Sequence, residues 1–146
     1  MKDIEIAKQR LDEKDLTLVL VRNGEIIFEG AGRGIKELWT LYREQADLLK
    51  GSSAADTVIG KAAAMFYVAG GISELKADLL SEAAQTYLTE HQVPYTYTKL
   101  TEYILNQTGQ ALCPMEKISL ASTDVATLET GIMNFFKKIK SNVGGN

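Results

Sequence analysis

The stretch "ALCPMEK", residues 111–117, holds the one cysteine of the chain, directly before a proline and three residues before a glutamate. Proline keeps the residue before it out of the α region and is itself favoured at the first position of a helix. Cys113 therefore reads as an N-cap, Pro114 as the first helical residue and Glu116 as the third, where the carboxylate of a capping box belongs. A thiol at a helix start faces unpaired amides and a positive dipole end, which favour the thiolate. Glu116 opposes this, because a neighbouring carboxylate disfavours a second negative charge. The competing reading of Cys113 is a small buried apolar side chain.

Lys61 is the second group with chemical promise. It lies between Gly60 and three alanines in an otherwise apolar segment. A cation there either snorkels to solvent or lies at the bottom of a cleft, paired with Asp56 or receiving an anionic ligand. It is also the candidate electrostatic partner of a Cys113 thiolate. Ser81 and Glu82 stand at a further helix start. In "GAGRG", residues 30–34, the G-x-G-x-x-G spacing of a dinucleotide loop is missing, and the segment follows the second arm of a hairpin. A flexible connection is the favoured reading, with Arg33 able to meet an anion near the next helix start. His91 is the single histidine and lies at a helix end, where it suits the carbonyls.

The elements that must position these groups follow from periodicity. Ile4, Ala7 and Leu11 share one face of an opening helix, with Asp3 placed to cap it. "LTLVLVRNGEIIFEG" is a β-hairpin about Asn23-Gly24, a pair suited to a type I′ turn, and its first arm is apolar on both faces, as in a central strand. A helix from Ile35 to about Gln45 carries Leu38, Trp39 and Tyr42 on one stripe. "KGSSAAD" reads as a loop, after which Asp56 caps a helix "TVIGKAAAMFYVAGG" closed by Gly70-Gly71. "ISELKADLL" is a strand, Ser81 opens the helix "SEAAQTYLTEHQ", "VPYTYTKL" is another strand, and Thr101 caps a short helix "EYILNQ". Ser122-Thr123 introduces a C-terminal helix with Val125, Leu128, Ile132, Phe135 and Ile139 as its seam, and Lys137, Lys138 and Lys140 at its carbonyl end. A hairpin followed by helix-linked strands predicts a mixed α/β sheet with helices on both faces, later strands parallel, and ligands beyond their carboxyl ends.

A chain of 146 residues with 45% hydrophobic and 24% charged residues is one domain, expected over 1–141 with 142–146 as a flexible tail. A net charge of −3 without a basic aromatic face argues against nucleic acid. One cysteine excludes an internal disulfide, no apolar run approaches the roughly 20 residues of a membrane span, and "MKDIEIAKQRLDEKD" lacks the apolar stretch of a signal peptide. A cytoplasmic location is expected.

The order of "GRGI" at 32–35, "ADTVIGKAAA" at 55–64, "GGISELKADLLSEAA" at 70–84 and "CPMEK" at 113–117 resembles the TM1506-like family, also called DUF1893, uncharacterised bacterial proteins with a cytidine-deaminase-like fold. The resemblance spans nearly the whole chain and implies a three-layer αβα sandwich, without an established activity. Zinc deaminases hold their metal with a His or Cys followed by Ala-Glu, and with Pro-Cys-x-x-Cys. Laid on this chain, those patterns put Ile59 at the first ligand, Lys61 at the glutamate, and Ser81 and Ala84 at the thiolates. Isoleucine and alanine cannot coordinate zinc and lysine cannot serve as that carboxylate, so a zinc-dependent deaminase is excluded by chemistry and no metal or other cofactor is expected.

The leading expectation is a metal-free deaminase-fold protein that binds a small polar, anionic or nucleotide-like metabolite, lined by Asp56, Lys61, Ser81, Glu82, Arg33 and Glu116. The alternatives are a thiol-dependent enzyme using Cys113 and Lys61, or a non-catalytic homodimer assembled through Trp39, Tyr42 and the "PYTYTKL" strand.

Overall fold

The computed structural model describes residues 1–32, 34–106 and 108–144, with side chains described up to residue 140. In chain order the elements are α1 (Asp3–Glu13), β1 (Leu18–Arg22), β2 (Glu25–Gly30), α2 (Lys36–Glu44), α3 (Ala46–Leu49), β3 (Ser53–Ile59) and α4 (Lys61–Gly70). They continue with β4 (Glu74–Ser81), α5 (Glu82–Glu90), β5 (Tyr95–Thr101), α6 (Pro114–Leu120) and α7 (Val125–Gly144). The five strands form one mixed sheet in the order β2-β1-β3-β4-β5. β1 runs antiparallel to both β2 and β3, whereas β3, β4 and β5 are parallel.

The hairpin forms as its sequence dictates. Asn23 and Gly24 both take positive φ, 54° and 79°, the backbone of a type I′ turn. Asp3 does not cap α1 with its side chain; its carboxylate accepts from the Asn23 and Gly24 amides at 3.1 and 2.9 Å, clamping α1 to the turn. α1 covers one face of the sheet, burying Ala7 and Leu11 against Val19, Val21 and Ala55. Lys8 extends that contact by pairing with Asp12 and with Asp78 of β4, both at 2.7 Å.

Leu18 and Leu20 point to the opposite face, where the larger core lies. Its centre is α4, buried from Ala62 to Tyr67. The three alanines let neighbours approach closely, and Gly70 does the same at the far end: a Cβ there would lie 2.6 Å from Leu49 Cδ1. Gly71, at φ 81°, closes the helix in the left-handed conformation expected of it. Trp39 and Tyr42 belong to this side. Trp39 is 8% exposed, stacks on Phe136 of α7 and donates from Nε1 to Glu129 at 2.9 Å, while the Tyr42 ring lies 5.3 Å from Phe66. The aromatic stripe of α2 is therefore packed inside the molecule.

Two larger sequence expectations change as well. "SSAADTVI" is not a loop and a helix start but the central strand β3, and Asp56 lies in its middle, beside Leu18 of β1 and Ala77 of β4. Its alanines are small because helices press on both faces, and that smallness hides the strand signal. "EYILNQ" is not a helix. The Ile104 amide goes to the Glu116 carboxylate, the Ile104 carbonyl accepts from Cys113, Leu105 bridges Leu112, and the Asn106 amide donates to Ala111. These long-range bonds take up the backbone groups that a helix needs. At α7, just after Ser122-Thr123, Asp124 accepts from Thr127 N at 2.7 Å as a cap. The seam of α7 holds at Leu128 and Ile132, both fully buried, and lapses by Ile139, 44% exposed. The helix runs to Gly144, so it enters the expected tail, whose residues 145 and 146 lie outside the described ones. Among the described residues, no helix is long and apolar enough to cross a membrane.

Candidate functional site

A cavity of about 630 Å³ opens where β3 ends and α4 begins, beyond the carboxyl end of a parallel strand. Six segments build it: Thr17-Leu18 before and in β1, the loop from β2 into α2, the end of β3, the first turn of α4, residues 104–106, and the start of α6. Its wall is mostly apolar, from Leu18, Ile35, Leu38, Val58, Ala62, Ala63, Ile104, Leu105, Pro114 and Met115. Polar groups enter at Thr17, Glu37, Asp56, Thr57, Asn106, Cys113 and Glu116.

Asp56 is the group with the most perturbed chemistry. Its side chain points from β3 toward α4, where Tyr67 donates its hydroxyl to Oδ2 at 2.6 Å, and the Val58 amide reaches Oδ1 at 3.3 Å. Desolvation within the fold raises its pKa from 3.8 to about 7, against the hydrogen bonds from Tyr67, Val58 and Thr57; the Glu37 charge adds to the rise. The carboxyl is half-buried because one side of it opens into the cavity. Tyr67, fully buried, has its hydroxyl pushed well above its ordinary pKa by burial and by Asp56, so it remains a donor.

Glu37 was not singled out by the sequence. It reaches the cavity from the first turn of α2, folding back over the end of β2. A Cβ on Gly30 would lie 2.1 Å from Glu37 Oε1, and one on Gly32 would lie 3.2 Å from Oε2. Neither glycine has a left-handed φ, so what they supply is room for this carboxylate. That is the physical role of "GAGRG", together with Thr17, whose hydroxyl donates to the Gly32 carbonyl at 2.7 Å and fixes the loop. The spacing of the glycines was visible; their target, five to seven residues on, was not.

Glu116, 3% exposed, is the most enclosed carboxylate of the wall. Cys113 and Pro114 occupy the predicted N-cap and first helical positions, yet the capping box is not made. The Glu116 side chain instead accepts from the Ile104 amide and from the Lys61 amide, the latter at 3.4 Å. A carboxylate thus already sits at the positive end of α4, where an anionic ligand was expected. Cys113 is half-buried and lines the same cavity.

The remaining sequence candidates disperse. Lys61 begins α4, but its Nζ donates to the Ser122 carbonyl at 3.1 Å and its side chain does not line the cavity. It pairs with neither Asp56 nor Cys113. Ser81 is fully buried as the N-cap of α5, accepting from Ala84 N at 3.1 Å, and neither it nor the exposed Glu82 reaches the cavity. Arg33 lies outside the described residues. His91 caps the end of α5 and stacks on Tyr87 with ring centroids 4.1 Å apart, as its position suggested. Asp56, Cys113 and Glu116 are therefore the expected residues that share one concavity. Among the described residues, no three His, Cys, Asp or Glu side chains are grouped to hold a metal ion.

The chain matches none of the curated proteins compared with it. Among solved structures it is similar to the crystal structure of a DUF1893 family protein, TM1506, from Thermotoga maritima. The TM-score is 0.78 at 26% identity, with 94% of this chain and 91% of that chain covered. The family model TM1506, described as a domain of unknown function (DUF1893), matches residues 6–136, and the chain belongs to that family.

Proposed function

We propose that this protein binds a small molecule in the cavity between β3, α2, α4 and α6, with Asp56 as the group that orients it. The observation that carries the reading is a concavity of about 630 Å³ with apolar walls and a few convergent polar groups. That is the size and make-up of an ordinary small-ligand site, roughly 300–1,000 Å³. On the deaminase-like scaffold that the resemblance implies, the zinc positions hold Ile59, Ser81 and Ala84, so the reading is one of recognition without a bound metal.

Thermal unfolding across a panel of nucleosides, amines and phosphorylated metabolites tests it. A ligand at about 100 times its Kd adds about 2.7 kcal/mol, a rise in Tm of several degrees for a domain of this size. Val58, 42% exposed on the cavity wall, gives the control: Val58→Phe narrows the site without touching the core. The reading requires a shift that shrinks in Val58→Phe. Equal shifts in both proteins, or none from any compound, would contradict it.

Cys113 supplies an independent readout, since a ligand in the cavity shields its thiol from iodoacetamide. The thiol-enzyme alternative has lost its electrostatic partner, because Lys61 is engaged at Ser122. It predicts reaction of Cys113 with iodoacetamide well below about pH 8.5, the ordinary thiol range.

A second reading, self-assembly, is favoured by one feature. β5 is an edge strand, with Thr96, Tyr97, Thr98 and Lys99 exposed. Antiparallel pairing of two copies about Thr98 would set Tyr97 opposite Lys99, a cation against an aromatic ring with no like charges facing. The expected partner on this strand is a second copy of the chain. Light scattering after size exclusion should give a dimer for the native chain and a monomer for Tyr97→Lys, and a native monomer at high micromolar concentration would end this reading.

A further inference from the structure

The cavity also carries information on the charge of what enters it. Among the described residues, every charged side chain in its wall is an acid: Glu37, Asp56 and Glu116. Of the lysines next to lining residues, Lys61 is turned to the Ser122 carbonyl, and neither Lys36 nor Lys117 lines the cavity. At the amino end of α4 the Lys61 amide is already matched by the Glu116 carboxylate. An incoming anion would meet carboxyl groups on an apolar background and, among the described residues, no lysine or arginine in the wall.

Glu37 and Asp56 differ from Glu116 in what holds them. Glu116 is committed to two backbone amides. Asp56 has one side-chain donor, the Tyr67 hydroxyl, and otherwise only the amides of its own strand, Thr57 and Val58, the latter at 3.3 Å. Glu37 rests in the space that Gly30 and Gly32 leave open, and its charge bears on Asp56 from the facing helix. Both line the same apolar-walled cavity; two acidic groups across such a space repel, and a cation between them relieves that repulsion. Gly30 has little other reason to be glycine, since its φ is not left-handed.

Resting on the small-molecule reading above, we propose that the ligand is a small organic cation, an amine, amidine or guanidine. Its positive group sits between Asp56 and Glu37, and its apolar body lies against Leu38, Ile104 and Met115. The Tyr67 hydroxyl fixes the Asp56 carboxylate, leaving acceptor positions for the N–H groups of the ligand.

Proton linkage follows from the same geometry. Among the described residues, the titratable groups and amides that face Asp56 or share its cavity are Tyr67 from α4, Glu37 from α2, Cys113 and Glu116 at the start of α6, and the Val58 and Thr57 amides of β3. With no lysine or arginine among these, a bound cation supplies the stabilisation that ionised Asp56 otherwise lacks. Binding should release a proton, and affinity for a permanent cation should rise toward tenfold per pH unit below about pH 7, then level off.

Benzamidine, benzamide, benzoate and phenyl phosphate share one ring and differ in charge, which makes them the probes. Thermal unfolding and calorimetry are run on the native chain, Asp56→Asn, Glu37→Gln, Arg33→Ala and Val58→Phe. Benzamidinium should stabilise the native chain and Arg33→Ala, with affinity at least tenfold weaker in Asp56→Asn and the shift reduced in Glu37→Gln and Val58→Phe. Asp56→Asn keeps an acceptor for Tyr67, so its own unfolding transition shows that it is folded. Stabilisation by benzoate or phenyl phosphate instead, lost in Val58→Phe or Arg33→Ala, would overturn the cation while leaving the small-molecule reading intact. Benzamide binding equal to benzamidine would do the same. No binding of any probe would count against both.

Discussion

At the scale of the residue, Asp56 makes the protein sensitive to pH in a direction opposite to that of a salt-bridged acid. Its pKa is 3.8 in the unfolded chain and about 7 in the fold, so the folded state holds a proton that the unfolded state has lost between those values. Stability from this group is complete below about pH 4, declines as pH rises to about 7, and is constant above. The loss is about 2–4 kcal/mol, the upper end being the full shift and the lower end allowing for solvent in the cavity. Asp56→Asn should remove that decline. Urea unfolding at about pH 4.5 and pH 8 should show the variant close to native at the first and more stable at the second. An unchanged native pH profile in the variant would place the sensitivity elsewhere. The chemistry of Asp56 was not legible from its neighbours, because its partner Tyr67 lies eleven residues on and acts through tertiary packing. Glu37 was hidden for the same reason, although Gly30 and Gly32 were a readable sign that something approached that backbone.

At the scale of the element, one carboxylate joins three segments. Glu116 of α6 holds the first amide of α4 and the amide of Ile104, and so ties the segment after β5 over the cavity. Glu116→Ala would leave both amides without their acceptor beside a new void. Its cost should be about 2–4 kcal/mol in urea unfolding. A cost under about 0.5 kcal/mol would show that water replaces the carboxylate there. The glycine at the end of β2 makes a paired test. Gly30→Ala drives a Cβ to 2.1 Å from Glu37 Oε1, so Glu37 must leave its place. In a double-mutant cycle the cost of Gly30→Ala should largely vanish in a Glu37→Ala background, and additive costs would contradict the contact. Elements with local signals were read correctly from sequence. Asn23-Gly24 marked the hairpin, Gly71 the end of α4, Ser81 the start of α5 and Cys113-Pro114 the start of α6. Elements set by distant partners were not. β3 opens with a serine and two alanines because α1 and α4 crowd its two faces, and residues 104–106 are held by Glu116 and the strand-like contact to Leu112.

At the scale of the whole molecule, the sheet order β2-β1-β3-β4-β5 brings the antiparallel start of β1 beside the carboxyl end of β3. That juxtaposition puts Thr17, Glu37, Asp56 and Glu116 around one space, which no stretch of sequence shows by itself. The cavity lies beyond the carboxyl end of a parallel strand, where the sequence placed its candidate site, and among the described residues its charged lining is acidic. Lys61 suggested a positive floor, and the fold turned it to the carbonyl end of α6 while filling the amino end of α4 with Glu116. What remains is an acidic, apolar-walled chamber. The most direct measurement of its character is calorimetric titration with benzamidine at pH 6.5 in two buffers of different ionisation enthalpy. With Asp56 near pKa 7, roughly three-quarters of a proton should leave the protein per ligand bound, and Asp56→Asn should abolish that release. Binding without proton release in the native chain, or with the same release in the variant, would contradict the account.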